Sequence, residues 1–358
     1  KLILGNYSLI LDINLGDGVF EDVTTPTCII SFSKKILNNS ILYADLSDVE
    51  RDKLPVELDK INNLIDQSNL VSNQACSFVF KNHHQLIEKC YSGNLTLKDI
   101  AEDVATGISP GLADAFILKS DEAESKKLEK DIIKKLIIGG EINSYCLQPK
   151  SEKVIIYFSS DLDVKNYPNI IKHLSLYKDK LDNRVETKSG VIPYYVMLRP
   201  RRKKLFTEPK ILIRQTANRI IAAYDEDQWY CLKSGIIVQL PNKSEVQYLY
   251  LLAVLNSKLM NFLYSDLVNE DVRIFPEVKP VQLFKLPIVV PKRQIQIALE
   301  KIVNKILAAK KDDPNADTSE LEKQIDHLVY KLYQLTYNEV KIIDPEFALT
   351  EQEYLDLP

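Results

Sequence analysis

The chain has 358 residues, 45% of them hydrophobic and 27% charged, and a formal net charge of −4. This composition favours folded cores beneath an ordinary charged surface, and the length suffices for two domains. It argues against a protein with spanning helices, because no stretch approaches the roughly 18 uninterrupted apolar residues that such a helix needs.

The first part of the chain predicts a hairpin followed by a linker. The stretch "YSLILDINLGDGVFEDVTTPTCIISFSKK" is typical of two strands around a Gly-rich turn, with "TCIISF" as a short buried strand. We expect residues 1–45 to be the C-terminal strands of a domain whose body lies outside this sequence. Residues 46–67 carry apolar side chains at helical spacing, interrupted near Pro55, which predicts a helix within a linker at residues 46–95.

Residues 96–290 alternate between predicted helices and strands. In "LTLKDIAEDVATGISPGLADAFIL", a small-residue loop at 106–111 lies between a predicted helix and a predicted strand. The stretch "DEAESKKLEKDIIKKLI" predicts a charged helix that ends at Gly139 and Gly140. After it, "KVIIYF" predicts a strand and "YPNIIKHLSLYKDKLDNR" a basic amphipathic helix.

The segment 208–233, "EPKILIRQTANRIIAAYDEDQWYCLK", predicts an antiparallel meander of three strands. The runs "ILIR", "IIAAY" and "WYCL" favour strands, and "TANR" and "DEDQ" favour turns. Because successive side chains in a strand point to opposite faces, Arg214 shares a face with Leu212. The meander thus displays cations, either on a merely solvated outer face or on a surface that meets phosphates.

The last third of the chain predicts helices. The stretch "SEVQYLYLLAVLNSKLMNFLYSDL" is the most apolar one, and we expect it to run through the core. Two further stretches have apolar residues at alternating spacings of four and three, and the polar segment "KKDDPNADTS" separates them. This pattern predicts an αα-hairpin at residues 291–345, followed by a tail at 346–358. The two predicted stripes are Ile295, Leu299, Ile302 and Ile306, and then Leu321, Ile325, Leu328, Leu332 and Leu335.

The charge is unevenly distributed along the chain. Residues 160–219 contain 14 Lys or Arg and six Asp or Glu, a net charge of +8, so the remainder carries −12. The run "RPRRKK" at 199–204 is the densest part of this excess. A local positive excess of this kind indicates a surface that binds a polyanion such as DNA.

Motifs of catalysis and metal binding are incomplete in this sequence. Cys76, His83, His84 and Cys90 are close together but lack the CxxC or HxxxH spacing of a zinc site, so we expect no metal site. The stretches "PEVK", "DVK" and "ESK" match only part of a metal-dependent nuclease motif, and "GDG" lacks the third glycine of a phosphate-binding loop. The five cysteines are scattered and odd in number, which favours reduced thiols and a cytoplasmic location.

Several of these stretches together resemble a known family. "LKDIAEDVATGISPGLADAFIL", "YPNIIKHLSLYKDKLDNR", "EPKILIRQTANRIIAAYDEDQWYCLK", "YLLAVLNSKLMNFLY" and "LFKLPIVVP" occur in the order found in the TaqI-like C-terminal specificity domain. This is the target-recognition region of adenine-specific DNA methyltransferases and type IIG restriction-modification enzymes. The resemblance implies a mixed α+β fold in which an antiparallel-sheet-containing target-recognition domain, 96–290, follows the last strands of a methyltransferase domain and precedes the C-terminal αα-hairpin.

The chain departs from the family in its catalytic motifs. It has no Pro-Pro pair, so it lacks the (D/N/S)PP(Y/F) motif that grips the adenine, and it lacks the glycine-containing motif for S-adenosylmethionine. We therefore expect no catalytic residues and no cofactor in this chain, which would be a C-terminal fragment. The resemblance implies S-adenosylmethionine for the missing methyltransferase domain, acting in cis, and Mg²⁺ for any missing nuclease domain.

On this resemblance, the partner is double-stranded DNA. Arg and Asn side chains can pair with guanine and adenine edges, whereas clustered cations contact phosphates. The alternative is a protein-interaction module that docks through the C-terminal helices and has no DNA specificity of its own. The candidate DNA-binding residues are Arg199, Arg201, Arg202, Lys203 and Lys204 for phosphates, Arg214, Asn218 and Arg219 for base edges, and Thr106, Gly107, Ser109, Asp114, Arg273 and Lys285 as further contacts.

Overall fold

The computed structural model describes residues 8–16, 19–20, 27–34, 40–46, 49–61, 64–66, 83–150, 152–268 and 277–357. The chain divides into two compact units, residues 1–88 and 89–358. Each unit is described by itself below.

The first unit contains one four-stranded sheet. Its elements are β1 (Ser8–Gly16), β2 (Thr27–Ser33), β3 (Ser40–Asp45), α1 (Leu54–Leu58) and β4 (Leu64–Asp66). The order in the sheet is β2-β1-β3-β4, with β1 antiparallel to β2 and parallel to β3. The β1-β2 hairpin agrees with the sequence, but the buried character predicted for "TCIISF" is wrong. Because β2 is the outer strand of the described sheet, Ile29 and Phe32 are 43% and 50% exposed.

The helix predicted across residues 46–67 is only α1. A single 3-10 turn precedes it, Pro55 stands in its first turn, and β4 follows. The proline ring fixes φ at a helical value and removes an amide donor that a first turn does not use, so Pro55 starts this helix rather than interrupting it. None of the five side chains of α1 is buried, so no buried apolar face stabilises a longer helix here.

The second unit begins with α2 (His84–Tyr91), whose first residues precede the boundary. The elements that follow, in chain order, are β5 (Leu95–Thr96), α3 (Leu97–Ile100), β6 (Asp103–Thr106), α4 (Ala113–Phe116), β7 (Ile117–Lys119), α5 (Ser120–Ser125), β8 (Ile133–Ile137), β9 (Lys153–Ile156), α6 (Pro168–Ser175), α7 (Lys178–Asp182), α8 (Val185–Lys188), α9 (Lys204–Thr207), β10 (Lys210–Arg214), β11 (Ala222–Asp225), β12 (Tyr230–Cys231) and β13 (Gly235–Gln239).

Two four-stranded sheets organise this part. One has the order β11-β10-β13-β6 and is antiparallel throughout; the other has the order β12-β8-β9-β7. Their inward side chains meet in one hydrophobic cluster, which includes Leu212 and Ile237 from the first sheet and Leu136 and Ile155 from the second. Local pairing and a shared core therefore join segments that are about 100 residues apart.

Two predictions in this region are wrong. The third strand of the meander, β12, leaves the β10-β11 hairpin and pairs in parallel with β8, while β13 takes the place beside β10. The charged helix predicted for "DEAESKKLEKDIIKKLI" is the short α5, a 3-10 turn and the strand β8. Leu136 and Ile137 of β8 are completely buried between its neighbours, and burial of β-branched and leucine side chains in a sheet outweighs the helix propensity of the lysines.

The remaining elements are helical apart from one strand: α10 (Tyr248–Asn256), α11 (Lys258–Val268), α12 (Pro280–Leu283), β14 (Pro287–Ile288), α13 (Arg293–Asp312), α14 (Ser319–Leu332), α15 (Tyr337–Ile343) and α16 (Glu351–Leu355). The apolar helix of the core is confirmed as two helices, α10 and α11, that meet at Ser257. The αα-hairpin is confirmed as α13 and α14, and β14 pairs with β5. Among the described residues, every helix falls short of the length and apolarity that a bilayer crossing requires.

The buried face of α13 differs from the predicted stripe. The buried residues are Gln296, Leu299, Val303 and Ile306, whereas Ile295 is 45% exposed. The reason is that α13 packs against α10 as well as α14. Burial of Gln296 is stabilised because its side-chain amide donates to Glu245 O at 2.8 Å and accepts from Gln247 N at 3.1 Å.

Asp326 of α14 makes the stability of this helical part depend on pH. Its carboxylate accepts from the Lys258 amide at 2.8 Å, and burial raises its pKa to about 7. The folded protein thus holds a proton that the unfolded chain releases above about pH 4, so stability falls as pH rises from 4 to 7. The wild type should therefore lose unfolding free energy between pH 5 and pH 8. We expect Asp326→Asn, which keeps the hydrogen-bond acceptor but does not titrate, to reduce this loss by about 2–4 kcal/mol, as measured by urea unfolding at the two pH values.

The control for this variant is Asp312→Asn, which changes an exposed carboxylate of α13. Its unfolding free energy should follow that of the wild type at both pH values. If Asp326→Asn also follows the wild type, Asp326 is ionised in the folded protein and the prediction is wrong.

Candidate nucleic-acid interface

The backbone of the basic segment 199–204 is fixed on both sides. Arg199 N donates to Ser109 O at 2.9 Å and Ser109 N donates to Arg199 O at 3.2 Å, so the segment pairs with the small-residue loop after β6. Tyr157 Oη donates to Arg201 O at 2.7 Å. Arg201 itself has φ of +65°, a left-handed conformation that an arginine adopts only where its surroundings stabilise it.

The five cations of this segment fall into two groups. Three are engaged within the protein: Arg201 Nη2 donates to Thr106 Oγ1 at 2.6 Å, Arg202 pairs with Asp103, and Lys204 Nζ pairs with Glu102 at 2.6 Å. The side chains of Arg199 and Lys203 are exposed and, in the described part of the chain, form neither a hydrogen bond nor an ion pair. The structure therefore separates cations that attach the segment to β6 from two that point into solvent.

The ion pairs of the first group are not strong ones. Arg202 is 72% exposed and the Lys204–Glu102 pair is more than one-third exposed on both sides. Exposed pairs of this kind contribute about 0–1 kcal/mol, so a phosphate can replace the carboxylate at little cost. The pairs of Arg202 and Lys204 therefore contribute little to stability, and both side chains can exchange partners.

Arg184, which the sequence did not single out, holds the two strands of this site together. It is 9% exposed, and within the described ranges its guanidinium donates to backbone carbonyls alone, which fits a rigid planar fork with five donors. Burial lowers the pKa of this guanidinium. The acceptors are Leu181 O at 3.1 Å, Val196 O at 3.0 Å, Tyr194 O at 2.9 Å, and Pro110 O and Pro193 O at 3.4 Å.

The small-residue loop owes its composition to packing inside the protein. A Cβ atom on Gly107 would lie 2.3 Å from Cys231 O and 2.4 Å from Leu232 O, so the glycine is required where the loop crosses β12. The loop also follows the strand β6 and precedes the short helix α4, which corrects the predicted helix-to-strand order. Asp114 is exposed in the first turn of α4.

Gly107 yields a stability prediction with a matched control. Gly107→Ala is expected to cost about 1–3 kcal/mol of unfolding free energy, because two backbone carbonyls have to move apart. Gly140→Ala introduces the same methyl group where nothing lies within 4 Å, and it should be nearly neutral. Thermal unfolding of both variants and the wild type tests this prediction. Equal midpoints for the two variants would show that the loop accommodates the added methyl group, and the prediction would be wrong.

The turn between β10 and β11 carries the residues predicted to reach base edges. Arg214 Nε donates to Thr216 O at 3.0 Å, and Arg219 Nη2 donates weakly to Ser144 Oγ at 3.5 Å. Asn218, at the tip, is exposed and has no hydrogen-bond partner in the described residues. Arg214 thus braces the turn, whereas Asn218 and Arg219 remain available to a partner.

Two asparagines of the core helices anchor the far side of this turn. Asn261 Oδ1 accepts from Ile220 N at 2.7 Å and Asn256 Oδ1 accepts from Ala222 N at 3.0 Å. Both come from "LNSKLMN", a stretch that the sequence assigned to packing alone. A polar residue in an otherwise apolar helix was the available signal, because buried amides need partners.

The last two candidates are Lys285 and Arg273. Lys285 is exposed and lies two residues after the end of α12. The carbonyl oxygen of the residue before it, Phe284, accepts from Lys98 N at 3.1 Å. Arg273 lies outside the described residues, as does Cys76 of the cysteine and histidine group. Cys90 of that group is buried, and burial raises the pKa of its thiol to about 12. In the described ranges, no group of three or more His, Cys, Asp or Glu side chains could hold a metal ion.

A buried ion pair shapes the second turn, between β11 and β12. Lys210 Nζ lies 2.5 Å from Asp225 Oδ2, both side chains are at most 1% exposed, and the ammonium also donates to Phe206 O at 2.8 Å. Asp225 accepts in addition from the amides of Asp227 at 2.8 Å and Trp229 at 3.0 Å. One carboxylate thus joins β10 to β11 and fixes the backbone of residues 226–229.

Most of these candidate residues lie within the range that one protein-family model matches. The model of the TaqI-like C-terminal specificity domain matches residues 134–288. This range includes the basic segment, the β10-β11 turn, Arg273 and Lys285. The loop with Thr106, Gly107 and Ser109, and Asp114, precede it, although β6 belongs to the same sheet as β13.

Two curated relatives come from Methanocaldococcus jannaschii. The type II methyltransferase M.MjaIV is 25% identical over 263 residues, which are 68% of this chain and 85% of the relative. The putative type II restriction enzyme and methyltransferase RM.MjaORFECS2P is 30% identical over 199 residues, which are 53% of this chain and 15% of the relative. The chain thus spans most of the first relative and a small part of the second.

The solved structure of a type IIL restriction-modification enzyme has a similar fold. The type IIL enzyme MmeI, solved in complex with DNA, matches 98% of this chain with a TM-score of 0.54 and 13% identity. The type IIG endonuclease BpuSI matches 93% of it with a TM-score of 0.42 and 15% identity. This chain covers 46% and 45% of those two chains, so it spans less than half of either.

Proposed function

Residues 134–288 form a TaqI-like C-terminal specificity domain, and from this premise we propose that the chain reads the target sequence in double-stranded DNA. It does so as the recognition part of a type II restriction-modification enzyme that methylates adenine at N6 and also cleaves DNA. The chain itself carries the recognition residues. S-adenosylmethionine binding belongs to a methyltransferase domain in cis, Mg²⁺ to a nuclease domain where one is present, and the cytoplasm is the expected location.

The observation that carries this proposal is the arrangement of Arg199 and Lys203. Both are exposed cations that form no direct ion pair in the described residues, and the segment that carries them is restrained by Ser109, Tyr157 and Arg184. Exposed cations on fixed backbone can meet phosphates without a large loss of conformational entropy. A merely solvated basic surface has no need of such bracing.

The proposed work is divided between two regions. The segment 199–204 contacts phosphates and sets the position of the duplex. Asn218 and Arg219 reach base edges, where a bidentate pair with adenine or guanine contributes about 1–3 kcal/mol of discrimination. An enzyme that methylates a base inside a duplex has to turn that base out of the stack, so a domain that holds the remaining duplex in register is required.

The proposal is tested by selecting bound duplexes from a randomised DNA pool at about 50 and 200 mM salt, the range in which phosphate contacts reveal themselves. An enriched short motif that persists at the higher salt supports a self-sufficient reader. Asn218→Ala and Arg219→Ala should then change the enriched motif, whereas Arg199→Ala should weaken binding to all sequences alike. Loss of all binding with salt and no enrichment would mean that specificity requires the methyltransferase domain.

Absence of binding at both salt concentrations would contradict the proposal. It would favour the alternative function, a protein-interaction module that docks through α13 and α14. Docking through apolar helix faces weakens much less with salt than phosphate contact does. The salt dependence therefore distinguishes the two functions directly.

A further inference from the structure

A pocket of about 590 Å³ lies between β8, the basic segment and the turn from β11 to β12. Three lysines line it, Lys134 and Lys135 from β8 and Lys203 from the basic segment. The carboxylates of Glu226 and Asp227 also line it, as does Tyr230. Of these residues only Lys203 was a candidate from the sequence, because the others come from two separate stretches, around residues 134 and 228.

Among the described residues, the ammonium groups in this pocket form no direct ion pair, although the carboxylates of Asp131 and Asp161 are near enough to act on Lys134 and Lys203. Lys134 Nζ donates to Asp131 O, and Lys135 Nζ lies 5.2 Å above the ring of Trp229. Burial and the positive charge of Lys203 lower the pKa of Lys134, so these two cations are close enough to repel each other. Two cations held near one another beside an open cavity favour an anion between them.

Tyr230 forms part of the wall of this pocket. Its side chain is 2% exposed, and its hydroxyl oxygen is itself buried and forms no hydrogen bond within the described protein. The ring is held by stacking on Phe206, with centroids 4.4 Å apart, and by an edge contact with Tyr157 at 5.2 Å. Tyr230 therefore gives the pocket a fixed aromatic wall, and the lysines carry the contact with a ligand.

We propose that this pocket binds one phosphate group, held by Lys134 and Lys203. Glu226 and Asp227 repel a second phosphate, so the pocket takes one. The phosphate comes from the DNA strand, which rests on the proposed function; a free nucleotide carries the same chemistry.

The first test measures duplex binding by the full chain between about 50 and 200 mM salt. Lys134→Met with Lys203→Met removes the phosphate ligands, and we expect the slope of log Kd against log salt to fall by about 1, since each neutralised phosphate contributes about 0.9. Lys130→Met with Lys188→Met removes two exposed charges outside the pocket lining and should keep the slope. Unfolding midpoints of both double variants show whether they fold.

A methylphosphonate scan locates the phosphate. Duplexes with a single neutral linkage at successive positions should include one that weakens the wild type but not the Lys134→Met with Lys203→Met variant. Inorganic phosphate and dAMP, titrated calorimetrically, form the other arm. If the wild type binds dAMP but not duplex, the proposed function fails and the pocket is a free-nucleotide site. If the double variant equals the wild type with duplex and with dAMP, the pocket inference is wrong whatever the fate of the proposed function.

Discussion

Asp225→Ala is expected to destabilise the protein by about 3–5 kcal/mol, the largest single effect that the structure predicts. The variant leaves the Lys210 ammonium without a counter-ion at a position where neither side chain is more than 1% exposed. It also removes the acceptor of the Asp227 and Trp229 amides, so the turn 226–229 loses its fixed shape. Urea unfolding of the wild type and the variant measures the loss.

Two further variants separate these contributions. Asp225→Asn removes the charge and keeps only one of the two acceptor oxygens, so one turn amide loses its partner and the loss should approach that of alanine. Asp182→Ala breaks the exposed Lys178–Asp182 pair, in which the side chains are 52% and 42% exposed, and should cost less than about 1 kcal/mol. If Asp182→Ala and Asp225→Ala lower the unfolding free energy equally, burial of the Lys210–Asp225 pair adds nothing to stability, and the prediction is wrong.

Arg184→Met is the second large effect, and it should act on stability and on DNA binding together. The methionine fills part of the space but leaves the carbonyls of Val196 and Tyr194 without the donors that Arg184 supplied, at about 1–3 kcal/mol for each unsatisfied group. We expect a total loss of about 3 kcal/mol or more. Because Pro110 and residues 193–196 flank the Ser109–Arg199 pairing, duplex affinity should fall even where the variant is fully folded.

The control distinguishes positioning from charge. Arg202→Met removes the same charge from an arginine that is 72% exposed, so stability should change by less than about 1 kcal/mol. Arg184→Lys retains the charge but not the planar fork, and we expect it to resemble Arg184→Met in unfolding experiments. Full stability of Arg184→Lys would show that one ammonium can satisfy these carbonyls.

Patterns that repeat along the chain predicted the helical part well. The αα-hairpin, the apolar core helix and the β1-β2 and β10-β11 hairpins depend on patterns within short stretches, so spacing and turn residues suffice to predict them, although not the break of the core helix at Ser257. The buried face of α13 was predicted less well. Gln296 faces inward because α10 packs beside α13. The spacing of apolar residues along one helix does not show that a second helix packs against it.

The candidate site was predicted by composition but not by geometry. Clustered charge identified the segment 199–204, because charge density is a local property of the sequence. Which of its cations stay free depends on Asp103, Glu102 and Thr106, about 100 residues earlier in the chain. The role of Arg184 was missed for the same reason, since its acceptors are carbonyls and carbonyls are not encoded by residue type.

By itself, the sequence therefore determined the class of the fold, the order of most of its elements, the resemblance to the specificity domain and the location of the positive charge. Tertiary structure alone decided that β12 leaves the meander to pair with β8, and that Lys134, Lys203 and Tyr230 line one pocket. The physical reason is the distance along the sequence over which the interactions act. Secondary structure and charge density come from interactions between near neighbours, whereas strand partners, buried ion pairs and pockets come from burial in a common core, which joins segments that no local pattern relates.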